Sequence, residues 1–419
     1  MRTDKRSGLT PLGRSARFGV LFVVLHASSA AAQVNTTTTQ TSLAGTLSQL
    51  TQILAAREVG EALRLNTAIE VASVPLGTSS GGFAFKLDKT TGLEVRSAST
   101  FGPSFAERVI TAGAGQMSVT ASLTAATYDK LGEQRLDRME LARQESANPQ
   151  LAQRGLLSLA LTSETTTIQG VMGATDKLDV GVAVPIVRVR LNAISWVENA
   201  NGGIIVRGTG SGTSSGLGDV ALLGKYRLLR FGGEPPPDAP VEPDPGGLAL
   251  FATVRIPTGS VENLRGLGIY RTLGSLVFSA GKGKLRPHAQ VGYEWWSKGL
   301  NVESDFDPTV TARHSFQFAA GVEFEAAPQL TLMADFLSRQ INGGGKVGSR
   351  TVTDIDLPGI SAFTYALGLP EGTLEQTIVP GLKWNLKGKF LLSLNALIAL
   401  RDNGLYDKFT PVVGLDWTF

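Results

Sequence analysis

The sequence has no cysteine and only three histidines among its 419 residues. Without cysteine the chain can form neither a disulfide framework nor a thiolate metal site. His26, His288 and His314 are too few and too scattered for a metal site built on imidazole ligands. Charged residues are also scarce, at 18%, whereas glycine is plentiful, with 49 residues. This composition argues against a helical enzyme, favours many strands and turns, and leads us to expect no cofactor and no metal.

A strong charge of one sign is missing as well. The formal net charge is +3, but residues 1–32 contain five basic groups and one acidic group. The remaining chain has 34 basic and 35 acidic residues. It also lacks a stripe of Lys and Arg interleaved with aromatic residues, so we expect no nucleic-acid partner.

Residues 1–32 have the organisation of a secretory signal peptide. A basic segment leads into the apolar run "FGVLFVVLHASSAAA", which ends in the small residues Ala30 to Ala32. The alternatives are a buried helix or a membrane anchor, but the run is too short to cross a hydrocarbon core of ~30 Å. We therefore predict cleavage near Gln33. Because no later stretch offers ~20 consecutive apolar residues, the exported protein is predicted to be either soluble or a β-barrel.

Only one stretch after the signal peptide has a helical pattern. In residues 41–65, Leu43, Leu47, Leu50 and Leu54 recur at a spacing that lines one helix face. We predict that residues 33–106 form an N-terminal extension with this amphipathic helix and a hairpin around Thr91-Gly92. The extension would serve either as a plug or as a periplasmic arm.

From about residue 107 the apolar residues recur with a period of two. The alternating runs are ten or more residues long, which suits a membrane-spanning strand better than a strand in a soluble sheet. We count about twelve, with ten to fourteen allowed, near 117–127, 156–168, 177–190, 217–230, 247–257, 271–281, 285–296, 314–325, 330–340, 374–386, 389–401 and 409–419.

The connections between these runs separate a barrel from a sandwich, which would also alternate. Counted back from the C-terminus, the connections alternate between a long one and a short one. The first four are "DNGLYDK" (long), "LKGK" (short), residues 341–373 (long) and "AAPQ" (short). Outer-membrane barrels sort their loops in this way. Two segments complicate the pattern. The proline-rich residues 232–247 form a long connection on the short-turn side, unless the strand count is off by one there, and residues 192–216 could contain an extra hairpin above the membrane.

The predicted fold is therefore all-β: a transmembrane, antiparallel, up-and-down β-barrel over residues 107–419, with a short N-terminal helix. The faces opposite the apolar rows supply candidate pore-lining residues: Arg227, Arg255, Arg286, Glu294, Glu323, Asp335, Arg339, Lys383 and Arg401. They would line a hydrated lumen of mixed charge or close it through internal salt bridges.

Aromatic residues cluster near the predicted strand ends, as the two water–lipid interfaces favour. Predicted interface residues on the long-loop side are Trp295, Phe316 and Phe409. Those on the short-turn side are Phe324, Trp384, Phe390, Trp417 and Phe419.

Enzymatic motifs are weak. "GTSSG" at 77–81 and 212–216 formally matches a nucleophile elbow, but no helical pattern follows either copy, so both are predicted to be flexible loops. His288 and His314 have no serine and acid at a recognisable spacing. We predict no catalytic residue, no cofactor-binding residue and no metal ligand.

Four segments carry a family resemblance: "KLDVGVAVPIVRVRLN", "GLGDVALLGKYRLL", "GGLALFATVRIPTG" and the final "PVVGLDWTF". Over roughly residues 107–419 the chain resembles the outer-membrane transporters named after the meta-pathway of phenol degradation. "PLGTSSGGFAFKLDKTTG" and "FGPSFAER" look like the N-terminal extension of one branch of that group. The resemblance implies inward passage of small, often hydrophobic compounds. It also implies that the terminal Phe419 is read by the outer-membrane assembly machinery.

We therefore predict a barrel in the outer membrane of a Gram-negative envelope that acts as a passive, porin-like channel for small solutes, hydrophobic or aromatic ones included. No phosphate-binding loop accompanies the strands, so transport would be diffusive. Its expected partners are outer-membrane lipid, the assembly machinery and a small-molecule solute. The alternative is a closed structural or partner-binding barrel without transport. A barrel hydrolase would require His288 or His314 to meet a serine and an acid.

Overall fold

The computed structural model describes residues 36–37, 42–79, 82–88, 92–236, 242–302, 310–353 and 357–419. The predicted signal peptide, residues 1–32, lies outside these ranges and remains a prediction.

A ring of twelve antiparallel strands forms the body of the described chain. In chain order they are β1 (Met117–Tyr128), β2 (Gln153–Gly173), β3 (Leu178–Asn199), β4 (Val220–Arg230), β5 (Gly246–Ile256), β6 (Arg271–Ala280), β7 (Leu285–Trp296), β8 (Val310–Ala327), β9 (Leu330–Thr353), β10 (Ala362–Lys387), β11 (Phe390–Asp402) and β12 (Phe409–Thr418).

Each strand pairs with the next one in sequence, and β12 pairs with β1 from Val412↔Thr124 to Thr418↔Ser118. Closing the ring leaves the first and last strands without a free edge, which a lipid-embedded sheet requires because unpaired backbone groups are costly in hydrocarbon. The predicted up-and-down barrel and its strand count are confirmed.

The two ends of the barrel differ. We call the end that contains Met117 and Thr418 the turn end, and the end that contains Tyr128 and Phe409 the loop end. Connections at the turn end are residues 174–177, 231–245, 281–284, 328–329 and 388–389. The proline-rich connection therefore does lie on the short-turn side, and the strand count stands.

The loop end departs from the prediction at residues 341–373, which were expected to be a loop. β9 and β10 continue through this region and pair from Ile341↔Thr373 to Thr353↔Ala362. Register shifts around Gly344 interrupted the two-residue pattern on which the prediction depended. Residues 192–216 do contain the extra hairpin: β3 extends to Asn199 and pairs with Ile204–Leu217. The second "GTSSG" thus lies in a strand, not in the predicted loop.

Shorter elements complete the described chain. Strand Met139–Glu145 bridges β2 and β10 above the ring. The other short strands and 3-10 turns are Thr36–Thr37, Phe85–Asp88, Leu93–Arg96, Lys130–Leu131, Gln134–Arg135, Leu136–Arg138, Pro149–Leu151, Leu300–Val302 and Leu405–Tyr406.

The predicted single helix is a pair, α1 (Leu43–Gln52) and α2 (Arg57–Ala72). The Ser42 hydroxyl accepts from the Gly45 N–H at 3.1 Å and so caps the start of α1. The break follows from Ala55, whose φ of 55° is left-handed. A Cβ atom at Gly60 would overlap the Thr51 hydroxyl, so glycine lets the helices approach closely. In the described ranges, neither helix is long and apolar enough to cross a membrane.

The main apolar core lies inside the loop end. Leu47, Leu50 and Leu63 of the helices are fully buried, and they belong to one cluster with inward-facing Val189 and Leu191 of β3. Burying a leucine side chain stabilises a fold by about 1.5–3 kcal/mol. The barrel wall thus surrounds the helix pair. The leucine face of the helices packs against the inner side of the wall.

Candidate functional site

The two faces of the barrel wall have opposite chemistry. In β12, Phe409, Val413, Leu415 and Trp417 are exposed on the outside, each by more than 40%. The alternate residues Thr410, Asp416 and Thr418 are buried inside. An exposed apolar exterior around a polar interior is the arrangement expected of a barrel in lipid.

All eight predicted interface aromatics lie on the exposed outer surface. Trp295, Phe316 and Phe409 are near the loop end, since they occupy the β7, β8 and β12 segments that pair there. The other five are near the turn end: Phe324, Trp384, Phe390, Trp417 and Phe419. The Phe390 and Trp417 rings stack at 5.6 Å between centroids with 6° between planes.

Eight of the nine predicted lumen residues lie inside the barrel. Six are fully buried: Arg227, Arg286, Glu294, Glu323, Asp335 and Lys383. Arg255 and Arg339 are partly buried and line an inner cavity. Arg401 differs, because its side chain is exposed. It lies beside a register shift: Gln376 pairs with Arg401, but the next residue, Thr377, pairs with Ala399. That bulge ends the strict alternation from which its position was predicted.

The interior is occupied by the residues that follow α2. We call residues 73–116 the lumen segment; of these, 80–81 and 89–91 are not described. Backbone N–H groups of this segment donate to inward-facing side chains of five strands. The pairs are Phe101–Thr331 Oγ1 (3.0 Å), Gly102–Glu323 Oε2 (3.1 Å), Glu107–Gln290 Oε1 (3.1 Å), Val109–Ser279 Oγ (3.1 Å) and Ala112–Asp179 Oδ1 (3.0 Å).

Carbonyl groups of the lumen segment accept hydrogen bonds from three further wall side chains. Lys225 Nζ donates to Ile110 O at 2.7 Å and Lys383 Nζ donates to Pro103 O at 2.8 Å. Gln169 Nε2 donates to Thr78 O at 3.0 Å. Polar side chains of the wall thus form hydrogen bonds with the backbone of the lumen segment. These bonds supply the partners that buried peptide groups require.

One charge cluster joins β3, β4 and the lumen segment. Lys225 Nζ lies 3.4 Å from Asp179 Oδ2 and 3.6 Å from Glu107 Oε2, with all three side chains almost fully buried. Ser79 donates to Glu107 through its N–H at 2.7 Å and its hydroxyl at 2.8 Å. Hydrogen bonds from several sides make this group of buried charges tolerable.

A second cluster centres on His288. Its Nε2 lies 2.9 Å from Asp335 Oδ1, and its Nδ1 lies 3.8 Å from Glu323 Oε1. Arg108 of the lumen segment is 3.8 Å from the other Glu323 oxygen. The histidine therefore lies between two carboxylates that face the lumen segment.

Two arginines of the wall hold the C-terminal end of α2. Arg255 donates to Ala72 O at 3.0 Å and to Val74 O at 3.2 Å. Arg271 donates to Ala72 O at 2.6 Å and to the Ser73 hydroxyl at 3.0 Å. The last carbonyls of a helix lack intrahelical partners and carry partial negative charge, so guanidinium groups stabilise this end.

An acid pair shares a third arginine near the same place. Arg339 donates to Glu375 Oε2 at 2.6 Å, and another of its nitrogens lies 3.3 Å from Glu70 Oε2 of α2. Burial, followed by the charge of Glu375, raises the pKa of Glu70 from 4.5 to about 8, against the effect of Arg339. Glu70 is therefore largely protonated at neutral pH.

These groups surround a cavity of about 200 Å³ between α2, the lumen segment and the wall. Its charged lining comprises Glu70, Glu107, Arg255, Arg271, Glu294, Arg339 and Glu375. Its apolar lining includes Leu76, Phe105, Phe251, Leu273 and Leu337. A concave space with an apolar body and a few converging polar groups has the character of a small-molecule site.

The arrangement required for a barrel hydrolase is not found among the described residues. His288 is buried inside, whereas His314, with a φ of 56°, accepts from the Trp296 N–H at 2.9 Å and stacks on Trp295. The structure does not bring the two histidines together. In the described part of the chain, no group of three His, Cys, Asp or Glu side chains is placed to hold a metal ion.

Several residues of the site were missed from the sequence. Asp179 and Arg271 occupy inward positions of β3 and β6, so the two-residue period contained the signal for them. Glu107 and Arg108 lie in a segment without secondary structure, where no period indicates which way a side chain points. These two could be placed only by the three-dimensional fold.

Comparisons with known proteins give only distant matches. No known family profile matches the sequence, and no curated protein matches it. A solved outer membrane channel from Pseudomonas putida F1 is 13% identical, covering 74% of this chain and 98% of that one, with a TM-score of 0.43. The Ralstonia pickettii toluene transporter TbuX is 14% identical over 73% of this chain and 90% of its own, with a TM-score of 0.33. The resemblance to transporters named after phenol degradation stays a prediction.

Proposed function

We propose that this chain is an outer-membrane barrel that passes small solutes by diffusion, hydrophobic or aromatic compounds included. The observation that supports it is the combination of an apolar exterior with an interior cavity of about 200 Å³. In this proposal the turn end faces the periplasm and the loop end faces outward. The partners are outer-membrane lipid, the solute, and the assembly machinery that reads the closing strand.

In the same proposal, α1, α2 and the lumen segment act as a plug that must shift for a solute to pass. The lumen segment contacts the wall mostly through hydrogen bonds of its backbone, which can be exchanged for bonds to water. The helices contact the wall through buried leucines and would have to move with the segment. The lumen residues Glu323, Asp335 and Lys383 would then position the plug instead of filtering ions.

The second candidate is a closed barrel without transport. The specific observation in its favour is that the lumen segment hydrogen-bonds to inward-facing side chains of ten strands, from β2 at Gln169 to β11 at Asn395. A barrel filled to this extent could serve as a rigid envelope component, with its long loops available to a partner.

Liposome swelling separates the two candidates. Full-length protein is reconstituted and exposed to uncharged solutes of increasing size, with liposomes that contain heat-denatured protein as the control. Swelling that falls as solute size grows supports the channel. No swelling with any solute, from protein whose folded state is verified by its heat-modifiable gel migration, would support the closed barrel.

A further inference from the structure

The cavity beside α2 contains a guanidinium group that forms no direct ion pair with any carboxylate among the described residues. Arg255 lies on β5, and its guanidinium donates to two carbonyl oxygens, Ala72 O and Val74 O. Among the described residues, no carboxylate oxygen lies within 4.0 Å of its nitrogens. A buried charge that has only neutral partners is costly, so a ligand that supplies the opposite charge is favoured there.

The acids around the cavity are already engaged. Glu375 accepts from Arg339 at 2.6 Å, and Glu294 accepts from Trp296 Nε1 at 2.7 Å. Glu107 is held by both donors of Ser79 and by Lys225. Glu70 is largely protonated at neutral pH because of its raised pKa. The lining therefore offers little unbalanced negative charge to attract a cation.

The other two guanidinium groups of the lining have acids close by. Arg339 pairs with Glu375, and Arg271 lies 3.8 Å from Asp219 Oδ2 and 3.7 Å from Glu294 Oε1. Arg271 is also almost fully buried, whereas Arg255 is only partly so. Arg255 is thus more accessible than Arg271, and it is the one of the three arginines with which no described carboxylate forms a direct ion pair.

The remaining lining sets the size and character of the ligand. Leu76, Phe105, Phe251 and Leu337 provide apolar surface opposite the charged groups. A volume of about 200 Å³ corresponds to roughly seven waters at about 30 Å³ each. That space suits a single ring or a short branched chain with one polar group.

We propose that this cavity binds a small organic acid, with its carboxylate on Arg255 and its apolar body against Leu76, Phe105 and Phe251. This proposal rests on the proposed channel function and names the class of solute that the channel would retain. A guanidinium matches the geometry of a carboxylate better than any other side chain does.

A series of ligands with equal size and different charge tests the proposal. Benzoate, benzamide and benzylamine are titrated into the purified full-length protein, and binding is measured by calorimetry at pH 7. We expect benzoate to bind at least tenfold more tightly than the other two. Equal binding of all three, or preference for benzylamine, would overturn the anion site.

Variants assign the preference to Arg255. Arg255→Met should reduce benzoate affinity at least tenfold and leave benzamide affinity nearly unchanged, whereas Arg255→Lys should keep part of the benzoate preference. Arg401→Met removes an exposed arginine outside the cavity and serves as the control. Gel migration before and after heating verifies that each variant is folded, and unchanged benzoate preference in a folded Arg255→Met protein contradicts the proposal.

Failure of the site and failure of the channel give different results. Liposomes that swell in benzamide and benzoate at equal rates leave the channel standing and remove the anion preference. Liposomes that swell in neither solute contradict the channel itself, whatever the calorimetry shows.

Discussion

At the scale of single residues, Lys225 is a buried charge that depends on several partners. Its ammonium group is fully buried between Asp179 and Glu107 and also donates to the backbone of the lumen segment. Removing one partner of a buried ion pair costs about 3–5 kcal/mol because the remaining charges are left unpaired.

We expect Lys225→Met to destabilise the folded barrel by about 3–5 kcal/mol. The measurement is the temperature at which the folded band of an unboiled sample converts to the denatured band on a gel. Arg401→Met is the matched control, because Arg401 is exposed and should tolerate the change. If both variants convert at the same temperature, the buried cluster does not stabilise the fold.

Glu70 should make the docking of α2 depend on pH. Its pKa in the docked state is about 8, above its ordinary value of 4.5. The docked state therefore binds more protons than the undocked state between these values, and docking weakens as pH rises from about 4.5 to about 8. We expect α2 amides of the wild type to lose protection over this range relative to Glu70→Gln. Hydrogen exchange of both proteins at each pH checks this, and parallel profiles would contradict it.

Much of the residue-level picture follows from the two-residue period. It places Arg227, Arg286 and Lys383 inside because the alternation still holds at these three positions. It misplaces Arg401, since the bulge beside that residue is decided by how β10 and β11 pair and not by the local sequence. It is also silent on Glu107, whose position depends on the path of an irregular segment.

At the scale of elements, the helix pair is held against the long strands of the loop end. Ala62 of α2 faces Gly368 of β10, where an added Cβ atom would lie 3.6 Å from the Ala62 Cβ atom. Disulfides span Cβ···Cβ distances of about 3.5–4.5 Å. The chain has no cysteine of its own, so an engineered pair has no competitor.

We expect Ala62→Cys combined with Gly368→Cys to form a disulfide that locks α2 to the wall and slows liposome swelling severalfold. Reducing agent should restore the original rate, and Ala62→Cys alone should behave like the wild type under both conditions. Bridged protein that passes solutes at the unbridged rate would show that α2 does not move during passage.

The elements also show where sequence patterns stop being informative. Leu43, Leu47, Leu50 and Leu54 correctly indicate a helical face, but they do not indicate the break at Ala55, whose backbone is left-handed. β9 and β10 extend beyond the predicted strands because Met139–Glu145 and the helices cover them. The register shifts near Gly344 interrupt the two-residue period, so the sequence pattern does not indicate that the strands continue.

At the scale of the whole molecule, the ring is completed at the last residue. Phe419 and Met117 exchange two backbone hydrogen bonds, at 2.9 Å and 3.0 Å. The Phe419 ring packs on Trp417 with 4.9 Å between centroids. Aromatic pairs of this kind add about 0.5–1.5 kcal/mol beyond their buried area.

We expect Phe419→Ala to lower the fraction of protein that reaches the folded, heat-modifiable form in outer-membrane preparations. Phe409→Ala removes another exposed ring, at the other end of β12, and should have a smaller effect. Equal yields for the two variants would show that the closing residue has no special part in assembly.

The lumen segment runs between the two ends of the barrel, which is closed by the pairing of β12 with β1. It begins beside α2 near the loop end, and Asp244 N at the turn end donates to Ser97 O at 2.8 Å. The strand that seals the cylinder follows the segment inside it in the chain, so it is synthesised after that segment. The wall can therefore close around a segment that is already synthesised, so the topology permits the segment to be enclosed during assembly. A refolding route that closes the ring first would instead require the segment to enter the closed cylinder through one of its ends.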